Sequence, residues 1–220
     1  MKQLAVAAAI GLATQVFAGP FGLSQGLSIE DATKHGQFVP AEGEYTFIAK
    51  GMTNGHADFE TYSILLTPKQ GLCSVVALSK DIYTNAYGHQ LKSKFKELTN
   101  VLTEKYGYPR ISLDISRTFD FSRNFGFWNL DGIWIEDDAW MDGLLSKKRT
   151  VSASWEESNG GNPKADSAAG GKLALPDSVA LITLNALARS ASKGYIRVEY
   201  RFNNYGACAE AVKLKRNSSL

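Results

Sequence analysis

The apolar positions of this chain change period several times, and each change marks an element. Residues 195–202 alternate without a break. Ile196, Val198, Tyr200 and Phe202 fall on one side, and Tyr195, Arg197, Glu199 and Arg201 on the other, which predicts a strand with one buried face. Val151, Ala153 and Trp155 alternate with Ser152, Ser154 and Glu156 in the same way. Residues 59–67 and 72–79 are rich in β-formers and are separated by Pro68-Lys69-Gln70-Gly71, the signature of a hairpin. Residues 45–50 and 179–189 read as further strands, and the turn at 190–194 joins the latter to residue 195.

Helical spacing appears between these runs. Leu91, Phe95, Leu98 and Leu102 recur at intervals of four, three and four, so residues 86–106 are predicted to be a long amphipathic helix. Gly107 and Pro109 stop it. Ser28 precedes Ile29-Glu30-Asp31, a capping pattern that predicts a short helix over 29–35. A helix over 138–148 carries Trp140, Leu144 and Leu145, and a short C-terminal helix contains Cys208.

The predicted fold class is α+β, an antiparallel sheet with helices on one face, built as two α-β-β-β-α units. Residues 68–75 align with 191–198 across the two units, matching Gly71 to Gly194 and Val75 to Val198. The first unit covers 19–109, an aromatic-rich connector 110–136, and the second unit 137–220. A Gly- and Ser-rich loop at 157–172 interrupts the second unit.

The first residues change the picture more than the composition does. Lys2, an apolar run from Leu4 to Ala13, and Val16 and Ala18 have the order of an export signal cut after Ala18. The run is shorter than the about 20 residues a spanning helix needs. The expected mature chain begins Gly19-Pro20-Phe21 and has no cysteine there for a lipid anchor. This places the protein in a periplasm or outside the cell. The formal net charge of +2 argues against a nucleic-acid binder. The two cysteines, Cys73 and Cys208, favour a disulfide in an oxidising compartment.

Candidate chemistry is sparse. Gly22-Leu23-Ser24-Gln25-Gly26 matches a nucleophile elbow in letters, but no strand precedes it, so a flexible entry to the first helix explains it better. His35, His56 and His89 have no metal-ligand spacing. Glu136, Asp137 and Asp138 are better explained by a helix N-cap than by paired catalytic carboxylates. No cofactor motif is present, and the chain reads as leaning away from an enzyme. The candidate binding residues are Phe125, Phe127 and Trp128 in the connector, and Tyr195, Arg197 and Arg201 on the polar side of the last strand. Aromatic and arginine side chains are those that anchor interfaces.

The opening Gly26-Leu27-Ser28-Ile29-Glu30-Asp31-Ala32, followed by an antiparallel sheet, resembles exported envelope domains of the BamE/SmpA type. A tandem of such units is similar to the secreted β-lactamase-inhibitor proteins, which grip an enzyme with a concave sheet. The resemblance implies a binding or assembly module. The expected partner is another envelope or secreted protein. The alternative is a binder of a small molecule or glycan, or a hydrolase, which requires Asp131, Asp137, His89 and Arg123 to converge on a pocket. An effector or immunity protein is a third class that export would also suit.

Overall fold

The computed structural model describes residues 19–116, 140–156, 175–176 and 178–218. The export signal, the loop at 157–172, and Phe125, Phe127 and Trp128 lie outside the described residues. In chain order the elements are a 3-10 turn (Pro20–Gly22), α1 (Ile29–Ala32), β1 (Gln37–Pro40), β2 (Thr46–Lys50), β3 (Phe59–Thr67), β4 (Gly71–Ser79), β5 (Ile82–Tyr83) and α2 (His89–Tyr106). Then follow β6 (Ile111–Ser116), α3 (Trp140–Leu145), β7 (Arg149–Glu156), β8 (Val179–Ser190), β9 (Lys193–Phe202) and α4 (Tyr205–Asn217).

The strands form one antiparallel sheet in the order β1-β2-β3-β4-β9-β8-β7-β6, with short β5 paired to β9. The α+β class is therefore as predicted. The central seam is β4 against β9, with Val75 opposite Tyr200 and Ala77 opposite Val198. Register carries the alternation across the sheet. Tyr62, Ala77, Val198, Leu184 and Ala153 form one cross-strand row, and Ile64, Val75, Tyr200, Ile182 and Trp155 the next. Every side chain in both rows is buried. These rows are the floor of the core, covered by α2 and α3 and, over Tyr62 and Tyr200, by Phe21, while α4 lies against Thr67 and Arg201 on the other face.

Where the helices lie is less expected. α2 follows β5 in sequence, yet it packs on β8 and β9, and α4 packs back on β3 and β4. Leu91, Leu98, Leu102 and Tyr106 are the buried side of α2. Gly194 lets Leu91 approach β9, since a Cβ there would overlap the Leu91 side chain. Trp155 is fully buried, and its Nε1 donates to the Gly107 carbonyl at 2.8 Å, tying β7 to the end of α2. α3 packs on β7 and β8. Its Trp140 donates to Asp114 of β6 at 3.1 Å, and Arg149 of β7 donates to the same carboxylate at 2.7 Å. Cys208, the buried residue of α4, is disulfide-bonded to Cys73 of β4.

Several boundaries differ from expectation. α2 begins at His89 rather than 86 because Gly88 is left-handed (φ 71°). A Cβ at Gly88 would also overlap the Trp140 ring, so the glycine seats α3 as well as starting α2. α1 is capped as predicted, with Ser28 Oγ accepting from the Asp31 amide at 3.1 Å, but it stops at Ala32. Strands β1, β5 and β6 were not foreseen. β1 and β6 are the two ends of the sheet order, and each is defined mainly by its partner.

Candidate functional site

Opposite the covered rows lies a second set of side chains with a different composition. One row runs Val39, Ile48, Ser63, Val76, Glu199 and Thr183, and continues through Ser154 to Ile111 of β6. The flanking rows place Leu78 and Asn185 beside Arg197, and Ser74 and Leu181 beside Arg201. Most of these residues are partly exposed, where their counterparts on the helix-covered side are buried. The face mixes aliphatic side chains with hydroxyls and one compact group of charges.

That group is Arg197, Glu199 and Arg201, placed on one face by the two-residue period of β9. Arg197 Nη2 donates to Glu199 Oε2 at 2.8 Å, and Arg201 Nε donates to Oε1 at 2.8 Å. Arg201 Nη2 adds a longer bond of 3.4 Å to Oε2. Glu199 is 5% exposed, whereas the arginine side chains are 32% and 36% exposed. Arg201 also stacks on Tyr205 at 4.5 Å. Burial pushes the Glu199 carboxyl up, but the hydrogen bond from Arg201 and the charges of both guanidinium groups outweigh it and hold it below the ordinary glutamate value,. The triad therefore carries one net positive charge at neutral pH.

Beside the triad the sheet forms a shallow hollow of about 400 Å³. Ile111, Leu113, Ser152, Ser154, Thr183 and Asn185 line it together with the three charged residues. At its rim Arg110 pairs with Glu156 at 3.0 Å.

The triad sets a pH-dependent contribution to stability. Glu199 has a lowered pKa in the folded state, so its contribution is complete above the ordinary glutamate value and disappears as pH falls through the lowered one. Glu199→Gln is expected to cost about 2 kcal/mol at pH 7, because it leaves two guanidinium groups facing each other with no counter-charge. Urea unfolding from pH 7 down to pH 3 checks this. The gap between wild type and variant should close on the acid side, and a gap independent of pH would refute the assignment.

Of the residues singled out in the sequence, Arg197 and Arg201 come together on Glu199. Tyr195 shares their face and lies under the Arg189 guanidinium at 4.3 Å. Phe125, Phe127, Trp128, Asp131, Asp137 and Arg123 fall outside the described residues. His89 opens α2, with its ring 5.7 Å from Tyr87 and its Nδ1 3.3 Å from Asn85 Nδ2. Ser24 follows a 3-10 turn rather than a strand. Among the described residues no group of three His, Cys, Asp or Glu is placed to hold a metal, and no helix is long and apolar enough to cross a membrane. Ile111 and Leu113 were missed as site residues. The alternation of Ile111, Leu113 and Ile115 was the available signal. No known protein family, curated protein or solved structure matches the chain.

Proposed function

We propose that this is an exported, non-enzymatic binding module, which holds another envelope or secreted protein on the open face of its sheet. One observation carries this reading: α2 and α3 bury one face of the sheet, while the other, with α4 at one end beside Arg201, leaves Val39, Ile48, Val76, Leu78 and Leu113 partly exposed around a charged centre. Apolar surface rimmed by polar groups is the usual mark of an interaction site. The disulfide fits an oxidising compartment,. The likeness to the BamE/SmpA type and to tandem inhibitor proteins supports the same reading at the level of element order.

The test is affinity capture from envelope and culture-supernatant fractions with oxidised protein starting at Gly19. Ile48 and Ile111 stand far apart on the open face and are 36% and 45% exposed, so Ile48→Glu/Ile111→Glu should leave the fold intact. A partner captured by wild type should bind this variant on the order of a hundredfold more weakly, since a buried unpaired carboxylate costs about 3 kcal/mol. Val101→Glu on α2, on the covered side of the sheet and 47% exposed, should bind normally. Loss with Phe127→Ala/Trp128→Ala instead would move the contact to the connector. No partner, with a hit in glycan screening, would move the function to the small-molecule class.

A further inference from the structure

The charges of the open face say what the partner must offer. Glu199 neutralises one arginine, and two are present. The residues opposite Arg197 are Leu78 and Asn185, and those opposite Arg201 are Ser74 and Leu181. None of these four is acidic. Glu156, at the rim, is taken by Arg110. Arg197 makes one hydrogen bond to Glu199, through Nη2 alone, and a third of each arginine side chain remains in contact with solvent. The buried carboxylate between them fixes both guanidinium planes, so little side-chain freedom is left to lose on binding. The rest of the hollow's lining is uncharged and supplies hydroxyl and amide groups from Ser152, Ser154, Thr183 and Asn185.

This inference rests on the open face being a protein-binding surface. We propose that the partner docks an acidic loop there, placing an aspartate or glutamate carboxylate on Arg197 and Arg201 and laying the adjoining loop residues in the hydroxyl-lined hollow. A fixed guanidinium pair with one unmatched charge is matched by one carboxylate. A polyanion surface would instead require a spread of basic residues, and among the described residues the further arginine next to Ile111 of this hollow, Arg110, is paired with Glu156.

The experiment is selection of a phage-displayed library of disulfide-closed random peptides on the oxidised protein. Peptides are assigned to the open face when Ile111→Glu abolishes their binding. The proposal expects open-face peptides to be enriched in Asp or Glu. Changing that acid to its amide in the peptide should weaken binding to unaltered protein about tenfold or more, and Arg197→Gln/Glu199→Gln/Arg201→Gln should remove the sensitivity. The peptide substitution needs no altered protein, so it decides the matter even if the triple variant fails to fold. Open-face peptides with no acidic preference, or with affinity unchanged by the amide, overturn the acidic-loop proposal and leave the binding surface standing. Peptides that never map to the open face overturn both. Sedimentation showing a dimer dissolved by Ile111→Glu would assign the face to a second copy and also overturn the proposal.

Discussion

Replacing Cys73 and Cys208 together by alanine is expected to lower stability by about 5 kcal/mol, the loop-entropy value for a cross-link across a sequence separation of 135,. A domain of this size has about 5–15 kcal/mol in total, so the loss is a large share of the whole. At about 2–4 °C per kcal/mol the melting temperature should fall by about 10–20 °C. The cross-link also has a local task. Cys208 is the residue of α4 that is buried. Thr67 Oγ1 lies 3.4 Å from its sulfur, and Asn204 Nδ2 donates to the carbonyls of Gln70 and Leu72 at 3.0 Å each. Hydrogen exchange should therefore show α4 opening before the sheet in the double variant. A melting temperature within 2–3 °C of wild type, about 1 kcal/mol, would show that helix packing alone holds α4.

The second large effect concerns dividing the chain. Fragments 19–109 and 110–220, the two sides of the unit boundary, are each expected to lack a cooperative unfolding transition. Mixed under oxidising conditions they should recover one. The reason is the exchange of helices. In the first fragment, Leu91, Leu98, Leu102 and Tyr106 would face water in place of β8 and β9, at about 2 kcal/mol each,. The β4 edge would lose its β9 partner. In the second fragment Trp155 would lose the Gly107 carbonyl. Sharp unfolding of residues 19–109 alone, or dispersed amide resonances from it, would establish independent units and refute this.

Much of this architecture was visible in the residues, for a physical reason that also sets the limit. Ile196, Val198, Tyr200 and Phe202 alternate because β9 has one buried side, and burial writes a period of two into sequence. The repeat of Leu91, Leu98 and Leu102 marks the inner side of α2 in the same way. Neither pattern says which strands that side meets, so the crossing of α2 to β8 and β9 was hidden. Gln37–Pro40 has only Phe38 and Val39 as apolar residues and ends in proline. Its strand state comes from pairing with Phe47 to Lys50, which no local pattern encodes. β6 was absorbed into the aromatic connector although Ile111, Leu113 and Ile115 alternate. Arg197 and Arg201 were legible as a shared polar face of β9. The hollow beside them was not, because Thr183, Ser152 and Ile111 reach it through register across three strand pairs. The cysteine pair was read from an even count, and the Cα separation of 6.4 Å bears it out.

The β4–β9 seam also bears on how the chain emerges. Val76 meets Glu199, more than half the chain further on, while β1 to β4 are joined by short local turns. During synthesis, the early strands can meet one another at once. Leu72 to Ser79 must then wait, as a bare apolar edge, for almost the last residues to arrive. Such an edge is a template for pairing with other chains, and closure from such a distance is slow. The interval before β9 arrives is thus when this protein is most exposed to aggregation, and when a chaperone able to shield one strand edge would matter most.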